Sequence, residues 1–338
     1  MPAVSVLMPC FNASKTLQPA MESLALQTFT DFEMVAVDDG STDGTREILQ
    51  GWSEKDSRFR LLSQPHSGII RALNCGLKNC QAAYIARMDA DDLCHPERLA
   101  CQVDFLDEHP AVGVVGCLVN SYPGEKVRQG FLIYIEWLNS LVTDADIRGE
   151  IFVESPLAHP SVVLRREWLE LASGYQDHGW AEDYDLWLRL YLAGVKFAKV
   201  PEVLLTWGDR LQRLTRRDPR YSLENFLRAK AHYLVRGPLA KRDGVIIWGA
   251  GMIGRRLSKH LSRQGAPLVS FVDVNPNKIG HTLRGLPIIS QEDLLACWGR
   301  FANPVVLAAV SARAARIKIG SFLRKHGLRQ GQDWWRVA

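Results

Sequence analysis

The chain lacks the features that would place it in an oxidising or membrane-spanning setting. Its seven cysteines (Cys10, Cys75, Cys80, Cys94, Cys101, Cys117 and Cys297) are odd in number, scattered and without CxxC pairs. That argues against a disulfide framework and offers no thiolate metal spacing. No apolar run approaches the roughly 18–20 residues that cross a bilayer. The opening MPAVSVLMPCFN also lacks the basic and apolar regions of a signal peptide. A cytoplasmic protein is expected, soluble or at most peripheral to the inner face of the membrane. A dominant charge is missing too: 41 Lys and Arg against 37 Asp and Glu leave +4, with no basic arm. No nucleic-acid partner is expected.

What is present is an ordinary globular composition, 47% hydrophobic and 23% charged over 338 residues, enough for two domains. Ala3–Met8, taken as a continuous apolar run, reads as a strand buried on both faces, and Phe32–Val37, Phe59–Leu62 and Ala83–Met88 read as further strands. Helical stretches Leu17–Leu26, Thr45–Trp52 and Ile69–Lys78 alternate with them. This is an α/β pattern, and it predicts a parallel sheet covered on both faces with ligands at the carboxyl ends of its strands. Past residue 110 the pattern loosens to strands Val112–Val119, Ser161–Leu164 and Lys196–Val200, with helices at Glu136–Leu141 and Glu182–Ala193.

The Gly/Pro/charge-rich segment 237–244 reads as a linker between domains 1–236 and 245–338. Beyond it, strands at Val245–Trp248, Leu268–Asp273, Leu286–Ile289 and Val305–Val310 alternate with helices Met252–Arg263, Gln291–Trp298 and Ala312–His326. The tail pair Trp334-Trp335 reads as apolar packing.

Three strand ends carry polar chemistry: Pro9-Cys10-Phe11-Asn12, Asp38-Asp39-Gly40-Ser41-Thr42-Asp43-Gly44-Thr45 and Asp89-Ala90-Asp91-Asp92. Clustered carboxylates repel unless a hard cation joins them, and Mg²⁺ takes one or two carboxylates plus substrate phosphates. In an extended Asp-x-Asp both side chains face one way, so one can take a metal and the other a ribose hydroxyl. The same residue types also build turns. Asp92 reads more simply as a turn cap before His95-Pro96.

SVLMPCFN, VDDGSTDGT and ARMDADDLCHPERL, in this order, resemble the inverting glycosyltransferases of family 2, over roughly residues 3–235. The resemblance implies a GT-A nucleotide-sugar-binding domain and a role in bacterial surface polysaccharide or glycan synthesis. It implies that Phe11 and Asp39 hold the nucleoside base, with Pro9 shaping the pocket and Asn12 beside it. Asp91 would coordinate Mn²⁺ or Mg²⁺ on the diphosphate, with Asp89 as second ligand near the ribose. Arg71, at a helix start, is either a base or phosphate contact or a surface arginine. His159 either lies near the diphosphate or acceptor or is structural.

Inversion needs a base for the acceptor hydroxyl. Asp183 shares a helical stripe with Leu186, Trp187 and Leu190 and is expected to face inward, whereas Asp185 pairs at i+4 with Arg189 as a solvated ion pair. A helix N-terminus lowers a carboxylate's pKa, which favours capping over base work. The family's ED motif matches Glu182-Asp183, which implies Asp183 as base and Glu182 as the residue orienting base or acceptor. The basic stretch 207–220, with Arg213 and Arg216, is a loop over the diphosphate, a lipid-facing patch or a solvated face.

In the C-terminal part, Gly249-Ala-Gly251-Met-Ile-Gly254 lies between a strand and a helix, and Asp273 ends the next strand. That context is the dinucleotide fingerprint, with Asp273 on a ribose diol. The segment also resembles the small Rossmann-like domain at the front of bacterial sugar acyltransferases, implying a second nucleotide site; a purely structural role stays open. The competing function is a sugar-nucleotide oxidoreductase or sensor centred on this domain. A sugar-1-phosphate nucleotidyltransferase is excluded, because Pro9–Asn12 is not the glycine-rich basic loop it needs.

Overall fold

The computed structural model describes residues 1–122, 129–208 and 214–338. The chain divides into two compact units. One comprises Met1–Ile147, Pro156–His178 and Glu182–Arg217; the other comprises Arg148–Ser155, Gly179–Ala181 and Asp218–Ala338.

The first unit is built on strands β1 (Val4–Cys10), β2 (Phe32–Asp38), β3 (Phe59–Ser63), β4 (Tyr84–Arg87), β5 (Leu93–Cys94), β6 (Val112–Ser121), β7 (Val163–Arg165) and β8 (Lys196–Trp207). They form one sheet in the order β3-β2-β1-β4-β7-β6-β8-β5. All of β2 and all of β1 except Pro9 are buried, mainly through apolar side chains, with Ser5 Oγ donating to Glu33 Oε1 at 2.7 Å where the two strands carry polar groups. Strands β3, β2, β1 and β4 run parallel. The expected all-parallel sheet stops there: β7 lies antiparallel between β4 and β6, and β5 antiparallel to β8. An apolar run marks a strand but not its partner, and strands of two or three residues are too short to show a period.

Register sets the site. Cys10 pairs with Asp38 and Leu7 with Arg87, so the segments following β1, β2 and β4 emerge side by side at one edge.

The second unit has strands β9 (Gly244–Trp248), β10 (Leu268–Val272), β11 (Thr282–Leu283), β12 (Leu286–Ile289), β13 (Pro304–Ala308) and β14 (Trp334–Arg336), ordered β11-β12-β10-β9-β13-β14. All pairs are parallel except the β11–β12 hairpin. The tail is more than packing: Trp334 pairs with Val306 as β14 and is fully buried. Helices Met252–Arg263, Leu294–Trp298 and Arg313–Lys325 flank this sheet, and helix Leu223–Arg236 packs along Met252–Arg263. Among the described residues, no helix is long and apolar enough to cross a membrane.

Candidate active site

The loops after β1 and β2 are stitched together by their own polar groups. Asn12, in the left-handed region at φ 49°, accepts at Oδ1 from Thr42 N at 2.9 Å, and its N–H donates to Ser41 Oγ at 3.0 Å. Asp43 accepts from Ser14 and Thr45; burial opposes its ionisation, but these hydrogen bonds win and hold its pKa at about 2. Asn12 and Asp43 thus build the loop.

Asp39 is buried and points into the 64–68 segment. Its Oδ1 accepts from Gln64 Nε2 at 2.6 Å and Ser67 N at 2.9 Å; its Oδ2 accepts from Gly68 N at 2.9 Å and lies 2.9 Å from His66 Nδ1. The His66 ring stacks on Phe11 with centroids 3.9 Å apart. Both rings are half open, Phe11 at 47% and the His66 side chain at 54%. His66 therefore already touches both residues that the resemblance assigns to the base. Sequence reasoning missed it, because no local pattern ties the end of β3 to Asp39. Pro9 is partly buried beside Phe11, and Arg71 stands exposed on helix Ile69–Asn79.

After β4, one carboxylate oxygen from each of Asp89, Asp91 and Asp92 lies within 4.8 Å of the others, the one such grouping among the described residues. Asp92 belongs to it as well as anchoring the loop: it is buried, and its Oδ1 accepts from Gly208 N at 2.8 Å. Three hard oxygen donors fit Mg²⁺ or Mn²⁺. Beneath them Arg87, 2% exposed, donates through Nη1 to Asp89 Oδ1. An arginine closing an apolar strand was a readable signal that went unread.

Arg87 also reaches the other half of the site, for its charge acts on Glu182, Asp183, Tyr175 and His159. His159 is buried, with Nε2 2.9 Å from Tyr175 Oη. Burial first, then Arg87, pushes its pKa well below the ordinary value, so it is neutral.

Helix Glu182–Leu192 is buried on almost every side. Leu186, Trp187 and Leu190 are fully buried as expected, but Asp183 is only half-buried while Glu182 is buried. The facial reading thus reverses: in an all-round buried helix, the partly open position is the accessible one. Asp185 is a second correction. It pairs with Arg189 at 2.7 Å, but with no exposure at all, so the pair is buried rather than solvated. Burial and then the neighbouring Glu182 raise the Asp183 pKa to about 7, overcoming the helix-terminal N–H groups and Arg87. Arg213 lies outside the described residues, and Arg216 sits on the short helix Leu214–Arg217.

In the second unit the glycine-rich turn joins β9 to helix Met252–Arg263. A Cβ on Gly254 would lie 1.9 Å from Gly249 O, so glycine there lets the helix close on the strand. Asp273 is not an open ribose ligand. Its Oδ2 accepts from Ala250 N at 3.0 Å and Lys278 Nζ at 2.9 Å, and its Oδ1 from Asn275 N at 3.0 Å.

These arrangements agree with comparisons to known proteins. Residues 5–171 match the model for glycosyl transferase family 2, and residues 240–326 match that for a CoA binding domain. The chain is 32% identical over 205 residues to the amylovoran biosynthesis glycosyltransferase AmsE of Erwinia amylovora, covering 60% of this chain and 74% of AmsE. It is 30% identical over 232 residues to the putative glycosyltransferase EpsE of Bacillus subtilis, covering 66% and 79%. Among solved structures, S. aureus TarS 1-349 in complex with UDP-GlcNAc superposes with a TM-score of 0.56 at 21% identity, over 78% of this chain and 72% of that one. The mannosyltransferase PcManGT from Pyrobaculum calidifontis, in complex with GDP-Man and Mn²⁺, gives 0.50 at 21% identity over 69% and 62%. These two share the fold. With a GT-A sheet, a smaller Rossmann-like second unit and relatives of this closeness, the chain belongs to glycosyl transferase family 2.

Proposed function

We propose that this glycosyltransferase moves a sugar from a nucleotide-diphosphate donor to a hydroxyl of a glycan or lipid-linked acceptor, in a single displacement that inverts the anomeric carbon. In this reading Pro9, Phe11 and Asp39 receive the nucleoside, with Asp89 near the ribose and Arg71 beside the phosphates. Asp89, Asp91 and Asp92 would hold Mn²⁺ or Mg²⁺, which when bound supplies a Lewis acid for the departing diphosphate. Asp183 takes the proton of the acceptor hydroxyl as its oxygen bonds the anomeric carbon and the bond to the diphosphate breaks. Glu182 keeps the Asp183 proton affinity high, and neutral His159 with Tyr175 supports the wall of the site.

The observation that carries this reading is Arg87. It bonds Asp89 and acts on Glu182 and Asp183, so one buried guanidinium answers to both the donor end and the base end of the reaction. The motif resemblance supports a bacterial surface polysaccharide or glycan as the product, and the name of AmsE, an amylovoran biosynthesis glycosyltransferase, agrees with a biosynthetic role. For the second unit we infer a nucleotide site at the Gly249, Gly251 and Gly254 turn.

A panel of nucleotide sugars, screened with and without Mn²⁺ or Mg²⁺ by thermal stabilisation and by hydrolysis, tests the reading. At least one donor is expected to stabilise the protein and turn over only with the divalent ion, and Asp91→Asn should abolish both effects. Turnover indifferent to the ion and to Asp91→Asn would overturn it.

A further inference from the structure

The hollow at the glycine-rich turn has a volume of about 690 Å³ and is lined by Gly251, Arg255, Arg256, Lys259, Lys278 and Arg284. Five cationic side chains around one cavity repel one another, and an anion among them removes that cost. Glu224 also reaches the rim; its Oε1 accepts from His260 Nε2 at 2.8 Å and lies 3.9 Å from Lys259 Nζ, so it offsets one of the five charges in part.

Two backbone positions point at the same hollow. Gly251 has φ −85° and ψ −166°, which any residue adopts, and a Cβ there would meet nothing within 4 Å. The protein's own packing therefore does not require the glycine, whereas a ligand pressed against the backbone does. Arg284 sits at φ 55° in the two-residue turn between β11 and β12, a left-handed position that ordinarily takes Asn or Gly. Its guanidinium donates to Ser258 Oγ and to Arg255 O, each at 3.2 Å. The strained turn thus fixes a cation beside those of the helix, and strain of this kind marks functional sites.

The third observation is at the end of β10. Lys278 Nζ holds Asp273 at 2.9 Å, and the other Asp273 acceptor positions face Ala250 N and Asn275 N. A ribose seated there meets an ammonium in place of an open carboxylate. Its free diol finds a poor acceptor, and a phosphate on the ribose finds Lys278.

We propose that this cavity binds a nucleotide carrying, besides its pyrophosphate, a phosphomonoester on the ribose, and that Lys278 and Arg284 select the phosphorylated ribose. This rests on the reading of the second unit as a nucleotide site. Coenzyme A, named by the matching family model, is one such nucleotide, and NADP⁺ is another.

Calorimetric titration of the full-length protein with paired probes tests the proposal: CoA against dephospho-CoA, and NADP⁺ against NAD⁺. The phosphorylated member of at least one pair should bind about tenfold more tightly, as charge-assisted hydrogen bonds imply. The Lys278→Gln, Arg284→Gly double variant should bring that ratio close to one. Glycine relaxes the left-handed position, so an undiminished thermal midpoint shows that the turn still folds. Equal affinities within both pairs, or a tighter dephosphorylated member, overturn the selection while leaving a nucleotide site standing. A ratio that survives in the double variant overturns the residue assignment. Failure of all four probes to bind overturns the site itself.

Discussion

A carboxylate that serves as a base at neutral pH must hold its proton more tightly than an ordinary aspartate, and Asp183 does so through burial and the adjacent Glu182. The protonated form cannot accept, so turnover should rise with pH through about 7. Glu182→Gln removes the like charge and should move that rise to lower pH, which a pH–rate profile under saturating donor would reveal. Asp183→Asn should cut turnover by about 10²–10⁴-fold with donor affinity almost unchanged, because the base acts on the acceptor. An Asp183→Asn enzyme of near-normal turnover would remove the base assignment. His66 makes the opposite kind of prediction. It stacks on Phe11 and contacts Asp39, so a nucleobase using those two groups must displace it. His66→Ala should therefore lower the nucleotide Kd by roughly 5- to 100-fold, since a stacked ring and a hydrogen bond contribute roughly 1–3 kcal/mol together. A weaker Kd in that titration would make His66 itself a base contact. The acidic motifs were readable as clusters at strand ends, although the same residue types also build turns, as Asp43 does. The partners of Asp39 were not readable, because they come from the 64–68 segment, which local spacing does not tie to it; for Asp185 the i+4 partner Arg189 was readable but the burial of the pair was not.

At the scale of elements, most strands were readable from their mainly apolar runs, whereas β5, β11 and β14, of two or three residues, were not. The helices Arg98–Glu108, Asp144–Glu150, Arg166–Leu171 and Leu223–Arg236 went unread, the second and third being too short to establish a period. Helix Ile69–Asn79 shows how tightly a readable element is held. A Cβ on Gly76 would lie 2.2 Å from Leu7 Cδ1 and 2.9 Å from Val37 Cγ2, so the glycine lets the helix lie against β1 and β2. Gly76→Val should destabilise the protein by about 1–3 kcal/mol, the usual cost of overpacking a core. A denaturant midpoint unchanged by that substitution would show that the helix can move away from the sheet freely. Because Gly68 N, at the start of this helix, donates to Asp39, the same substitution should also weaken nucleotide binding.

For the molecule as a whole, the consequential feature is how the chain threads its two units. Residues 148–155 and 179–181 belong to the second unit although the sequence encloses them in the first. Their attachments are specific. Glu150 pairs with Arg336 and, at 3.5 Å, with Arg316; Gly149 O accepts from Gln330 Nε2 at 2.8 Å; and Val153 O accepts from Lys230 Nζ at 2.7 Å. Partners nearly two hundred positions apart cannot be read from hydrophobic period, which is why the sequence alone suggested one cut near residue 240. Glu150→Ala leaves two arginines facing each other without their shared anion. The loss should be about 2–3 kcal/mol, below the roughly 3–5 of a fully buried pair because both arginine side chains keep some contact with water. A truncation after residue 240 removes Gln330, Arg316 and Arg336 together and strips 148–155 of those contacts. Limited proteolysis of that fragment should therefore cut within 148–155, where the full chain resists. A fragment as resistant there as the intact protein would mean that the segment is held by the first unit after all.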